Sequence, residues 1–207
     1  MIIGVTGPSG AGKSFFCSML AARGLRVFDC DRIYHEMISH PGECTSELAA
    51  HFGPTIVDGT TGGIDRSALA DTVFGDADAL SALNSITHKY VTEAINDLCR
   101  RATEDGCHSV IDAPLLFEAG CDSICDMTVA ILASRRDRLA RLIGRDGRTR
   151  TTTQLLSRLN SSQRDTFYTA RCTYTFRNNG STEDLEAFAD KIAAEANKEP
   201  PKVGDTQ

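Results

Sequence analysis

The chain has 207 residues, 41% of them hydrophobic and 24% charged, with 28 acidic against 22 basic side chains and a formal charge of −6. That suffices for one domain with a full core and a modest insertion, and it argues against a generally basic nucleic-acid-binding surface. No apolar run approaches the ~20 residues that span a bilayer, and Met1 leads into an apolar segment without the basic stretch of a secretion signal. The expected location is the cytoplasm, with no membrane partner. Cys17, Cys30, Cys44, Cys99, Cys107, Cys121, Cys125 and Cys172 contain no C-x-x-C pair; the nearest approach is Cys121 and Cys125. They read as reduced, small, mostly buried residues rather than as a metal site.

In chain order, Ile2–Thr6 is a first buried strand. Gly7-Pro8-Ser9-Gly10-Ala11-Gly12-Lys13-Ser14 follows and fits G-x-x-x-x-G-K-[ST], the phosphate-binding P-loop. A helix over Ser14–Arg23, ended by Gly24, continues from it. A strand that turns sharply into a helix lets backbone N–H groups and the helix N-terminus close on phosphate oxygens. In that setting Lys13 reaches the β/γ-phosphates and the Ser14 hydroxyl binds Mg²⁺.

Arg26–Asp29 is a second strand, closed by Asp29-Cys30-Asp31. Two carboxylates at i and i+2 share one side of an extended chain, so one of them can take a proton and either can order a magnesium-bound water. The other reading is an N-cap role for Asp31 before a helix at Arg32. The stretch 33–108 is mostly helical, with a long helix over Leu80–Thr103, and is too large for a simple crossover; it is the natural place for a substrate-binding subdomain. On their own, His35 and His88 read as surface or packing residues.

Ser109–Asp112 is a third strand, and Asp112 stands at a Walker-B-like position. The apolar Pro114–Phe117 reads as the wall of an organic substrate pocket or as a buried loop. Neither a GTPase N-K-x-D nor an ABC-type L-S-G-G-Q motif is present. Met127–Leu132 is a fourth strand. A helix over Arg135–Gly144 lies in a segment holding Arg135, Arg136, Arg138, Arg141, Arg145, Arg148 and Arg150. Arg138, Arg141 and Arg145 recur at i, i+3 and i+7 on one face. With Gly144 and Gly147 nearby, the segment reads as a mobile lid over a polyphosphate, the alternative being a solvated basic helix. Tyr174–Phe176 is a fifth strand, Ser181 starts a last helix, and 198–207 form a loose tail. Strands alternating with helices define an α/β fold with a five-stranded parallel sheet, a helical insertion and a lid, binding ligands at the carboxyl ends of the strands.

Together these segments resemble the dephospho-CoA kinases. The resemblance runs through the P-loop, Asp29-Cys30-Asp31-Arg32-Ile33, Pro41-Gly42, Phe52-Gly53, Gly63-Ile64-Asp65-Arg66, Leu83-Asn84-Ser85-Ile86-Thr87-His88, Asp112 through Glu118, Arg138-Leu139, Gln163 and Asn178–Gly180, in order along roughly residues 1–195. Pro8-Ser9 inside the loop looks more like uridine-kinase loops, and Lys89 replaces the proline that the family carries after His88. The resemblance implies transfer of the ATP γ-phosphoryl group to the 3′-hydroxyl of the dephospho-CoA ribose, the last step of coenzyme A synthesis. It makes Asp31 the base and puts Gly10, Ala11, Gly12, Lys13, Ser14 and Phe15 on the ATP phosphates. Mg²⁺ sits on Ser14, with Asp31 or Asp112 reaching it through water. His88, Leu115 and Phe117 fall in the acceptor segments beside Asp31. Arg141 and Arg145 are the lid arginines, and Asn178–Gly180, Asn179 in particular, lie near the adenine. The partners implied are ATP and dephospho-CoA, with the chain read as a monomer. The competing readings are a uridine-kinase-like nucleoside kinase and a non-catalytic nucleotide-binding regulator.

Overall fold

The computed structural model describes residues 1–147 and 149–198. Arg148 and all of the expected loose tail except Lys198 lie outside the described residues. The elements follow as β1 (Ile2–Thr6), α1 (Lys13–Ala22), β2 (Arg26–Asp29), α2 (Cys30–Ile38), α3 (Glu43–Phe52), α4 (Arg66–Val73), α5 (Ala77–Glu104), β3 (Ser109–Asp112), β4 (Met127–Leu132), α6 (Arg135–Asp146), α7 (Thr152–Asn160), α8 (Asp165–Thr169), β5 (Tyr174–Arg177) and α9 (Thr182–Ala196).

The strands form one sheet in the order β2-β3-β1-β4-β5. β1 pairs in parallel with β3 and β4, in registers that set Val5 opposite Asp112 and Val129. β4 pairs in parallel with β5. All six residues of β4 are buried because helices cover both of its faces. Successive side chains point to opposite faces. Val129 and Ile131 join Ile3, Val5, Phe16 and Leu20 in a cluster closed by Leu185 and Ile192 of α9, whereas Ala130 and Leu132 pack on Tyr168 of α8. Phe188 of α9 stacks on both Phe16 and Phe176, with ring centroids 5.5 and 4.8 Å apart. Each aromatic or branched side chain buried this way contributes about 1.5–3 kcal/mol.

Helix ends follow local chemistry. Gly24, just past α1, takes φ +88°, a conformation that costs glycine little. Ser181 caps α9 in a reciprocal box with Asp184, and Thr151 caps α7 the same way with Gln154. Asp29 rather than Asp31 caps α2: its carboxylate accepts from Arg32 N–H at 3.1 Å. The helix therefore begins at Cys30, one residue after β2 ends, and Asp31 stands in its first turn. The expected extended Asp29-Cys30-Asp31 with both carboxylates on one side does not form, and Asp31 is not a cap.

The chain divides into two compact units. One comprises Met1–Phe28 and the chain from Leu98 onward; the other is Asp29–Asp97. α5 passes from the second into the first. The second unit has its own core of Ile38, Leu48, Ile56, Ile64 and Leu69, against which Leu83, Ile86 and Tyr90 of α5 pack. Among the described residues no helix is long and apolar enough to cross a membrane, and no disulfide is formed.

Candidate functional site

The phosphate loop occupies the turn between β1 and α1. Gly12 is the N-cap of α1 at φ +99° and offers no side chain to the first-turn amides, which leaves them to an incoming anion. A Cβ on Gly12 would stand 2.4 Å from Asn178 Nδ2. Gly10, at φ +82°, is equally constrained: a Cβ there would stand 2.6 Å from the Arg138 carbonyl oxygen, because α6 runs directly over the loop. The loop closes on itself through Ala11 N–H to the Pro8 carbonyl at 3.1 Å. Of the residues expected to hold phosphate, Ala11 thus already spends its amide within the loop.

Lys13 Nζ forms a salt bridge with Asp112 Oδ1, and both side chains are largely withdrawn from water. The β1–β3 register brings this about by setting Asp112 opposite Val5, just before the loop. Beside the pair, the buried Thr6 donates its hydroxyl to the Pro114 carbonyl at 3.2 Å. Ser14 and Phe15 lie exposed in the first turn of α1, Phe15 by 52%.

The arginines of α6 divide by position. Arg141 donates to the Ala11 carbonyl at 3.0 Å, more weakly to that of Gly10 at 3.4 Å, and to that of Asn178 at 2.9 Å. Arg138 is buried and donates to the Ser9 carbonyl at 2.8 Å; burial lowers its pKa. Arg145 grips its neighbour Asp146 with two bonds of 2.9 Å, and Arg158 of α7 joins that carboxylate at 3.2 Å. The hydrogen bonding raises the pKa of Arg145 and lowers that of Asp146. Arg135, Arg136 and Arg150 are exposed. The solvated-helix reading therefore fails for Arg138 and Arg141. The single lid face of Arg138, Arg141 and Arg145 is also split, two of its members being spent on loop carbonyls and one on α6 itself.

Asn178 directly follows β5 and is buried. It donates from Nδ2 to the Ala11 carbonyl at 2.9 Å. Asn179 instead accepts from Ser134 N–H at 2.7 Å, at the start of α6. In the segment after β3, Leu115 is 48% exposed while Leu116 is fully buried. Phe117 meets Phe167 edge-on at 5.7 Å, and Gln163 donates to Glu118 at 3.3 Å. In the second unit, Asp31 is exposed on α2 and His88 is half-buried on α5. The first unit thus brings together Lys13, Asp112, Arg141, Asn178 and the loop glycines. Arg138 and Asn178 are the residues whose roles in the loop the sequence does not display: the arginine-rich pattern marks the helix without marking which arginine is buried.

The donor set suits a hard cation. Ser14 Oγ and Asp112 offer oxygen, and among the described residues no cluster of three His, Cys, Asp or Glu forms a closed metal cage. Mg²⁺ takes oxygen ligands of this kind, keeps several waters and binds largely through substrate phosphates.

A parallel sheet whose first strand runs through this loop into a helix, with a lysine paired to an acid at the end of the adjacent strand, defines a P-loop nucleotide-binding fold. The dephospho-CoA kinase (CoaE) family model matches residues 1–184. The chain is 36% identical to the dephospho-CoA kinase of Moorella thermoacetica over 197 residues, covering 93% of this chain and 89% of that one. Among solved structures it is similar to TT1252 from Thermus thermophilus (TM-score 0.78, 31% identity, 94% and 97% of the two chains covered). It also shares its fold with the dephospho-CoA kinase from Campylobacter jejuni (TM-score 0.63, 21% identity, 96% and 98% covered). The chain belongs to the dephospho-CoA kinase family.

Proposed function

We propose that this chain transfers the γ-phosphoryl group of ATP to the 3′-hydroxyl of the dephospho-CoA ribose, completing coenzyme A in the cytoplasm. The observation that carries the reading is the family match over residues 1–184. The loop chemistry supports the donor half: Gly10, Gly12, Lys13 and Ser14 present N–H groups, and Lys13 trades its contact with Asp112 for the β/γ-phosphates. Phe15 and Asn179 lie on the nucleotide side. Arg141, and Arg145 if its grip on Asp146 loosens, neutralise charge on the transferring group, with 134–150 as the closing element. In the acceptor half, the helical insertion about residues 33–108 receives dephospho-CoA, with His88, Leu115 and Phe117 against it.

Asp31 accepts the ribose hydroxyl proton as the new O–P bond forms and the bond to the β,γ-bridging oxygen breaks, releasing ADP. The open exposure of Asp31 in the first turn of α2 suits a group that must reach an incoming hydroxyl. Mg²⁺, held by Ser14 with Asp112 or Asp31 acting through water, supplies charge neutralisation on the phosphates when bound. Excluding water from the closed site keeps the enzyme from acting as an ATPase.

The test is ADP release from Mg²⁺·ATP with dephospho-CoA, adenosine or uridine as acceptor. Dephospho-CoA alone should support rapid turnover. Turnover with uridine but not dephospho-CoA overturns the reading in favour of a nucleoside kinase, and ATP binding without turnover on any acceptor overturns it in favour of a regulator. Asp31→Asn should lower kcat by on the order of 10²–10⁴ while ATP still binds; near-normal kcat removes Asp31 from the base role.

A further inference from the structure

A loop that binds phosphate must aim its N–H groups at the ligand. In a trans peptide, each N–H points opposite to the C=O of the same plane. Whatever holds the outer carbonyls of the loop therefore aims its inner amides. Ser9 is held from both ends: its C=O accepts from Arg138 Nε at 2.8 Å, and its N–H donates to Ser162 Oγ at 3.3 Å. Arg138 Nη2 closes the triangle by donating to Ser162 Oγ at 2.9 Å and to the Leu159 carbonyl at 3.2 Å.

Two features argue that this triangle serves the loop and not merely the packing of α6 on α7. Arg138 is only 8% exposed, and for packing alone an apolar side chain of similar volume would be as good or better than a desolvated charge. The guanidinium also reaches across to Ser9, whereas the α6–α7 contact is already made by Leu142, Leu155 and Leu159. With the Ser9 carbonyl drawn toward α6, the Gly10 N–H of the same peptide is turned away from α6.

We propose that Arg138, with Ser162, is a positioning residue for the nucleotide: it holds Ser9 so that Gly10 N–H is presented to a phosphate oxygen, without itself touching ATP. The proposal rests on the reading of residues 7–14 as the ATP phosphate site.

The test measures affinity for inorganic tripolyphosphate, ADP and adenosine by calorimetry, and KM for ATP and for the acceptor, in Arg138→Met, Arg138→Lys and Ser162→Ala. Arg138→Met should weaken tripolyphosphate and ADP about tenfold, the worth of one hydrogen bond to a charged group, while adenosine affinity and acceptor KM stay unchanged. Arg138→Lys, which keeps one donor for the Ser9 carbonyl, should recover part of the loss. Ser162→Ala should lose about two- to fivefold on the phosphate ligands only. Tripolyphosphate and ADP affinities within twofold of wild type in folded Arg138→Met, or an equal loss for adenosine, overturn the proposal. If Arg138→Met does not fold, Ser162→Ala is judged by the same two outcomes. A wild-type protein that binds no tripolyphosphate overturns the proposal too. If the binding results come out as expected but dephospho-CoA is not phosphorylated, the positioning role stands and the proposed acceptor fails.

Discussion

Replacing Asp112 by asparagine preserves the shape of the site while removing the countercharge of Lys13. The Asp112 side chain is 4% exposed and that of Lys13 12%, so water cannot take over the lost interaction. Deleting one partner of a buried ion pair costs about 3–5 kcal/mol. The oxygen kept by asparagine and the slight exposure of Lys13 place this case near the lower end, about 3 kcal/mol. For a chain of this size each kcal/mol moves Tm by roughly 2–4 °C, so the variant should melt roughly 6–12 °C below wild type. ATP returns negative charge to Lys13, so added nucleotide should raise Tm by several degrees more in Asp112→Asn than in wild type. Thermal unfolding with and without Mg²⁺·ATP measures both effects. A Tm within 2 °C of wild type, or an equal rise with ATP in both proteins, would refute the account of Lys13 as a charge passed between Asp112 and phosphate.

Gly12→Ala forces a left-handed residue to carry a Cβ 2.4 Å from Asn178 Nδ2; ATP affinity should fall more than tenfold while the rest of the fold persists, read by calorimetry and circular dichroism. His108 accepts the N-terminal ammonium at Nδ1, and burial followed by that positive charge lowers its pKa below 6.5. A lowered histidine pKa contributes stability in full above the unfolded value, and the contribution is lost as pH falls through the folded one. Denaturant midpoints should accordingly drop below about pH 6.5, and His108→Asn should flatten that limb; an unchanged limb counts against the coupling. Burial pushes the thiols of Cys44, Cys99 and Cys172 up to about 11 and that of Cys125 to about 12. Mass spectrometry after iodoacetamide at pH 8 should find these four protected in the native protein and modified after denaturation, since the thiolate is the reactive form.

The strand positions were legible because covered parallel strands are nearly all apolar: Ile2–Thr6, Ser109–Asp112 and Met127–Leu132 stand where the hydrophobic runs predict them. Helix starts marked by local chemistry were equally legible, as at Ser181. The start of α2 was not. Asp29 and Asp31 are both good caps, and only the immediate turn of the chain into α2 decides that Asp29 takes the role while Asp31 joins the first turn.

By itself the sequence determined the chemistry available: a loop with glycines where the backbone takes left-handed turns, a lysine and a serine at the start of a helix, and acids at strand ends. These depend on residue type and short spacing, which local backbone geometry obeys. Tertiary structure decided the partners. Asp112 pairs with Lys13 because two strands far apart in sequence lie in register, and the arginines of α6 take different tasks because the loop passes directly beneath the helix. A periodic row of arginines looks uniform along the chain; only its packing separates Arg138, buried on Ser9, from Arg145, exposed on Asp146.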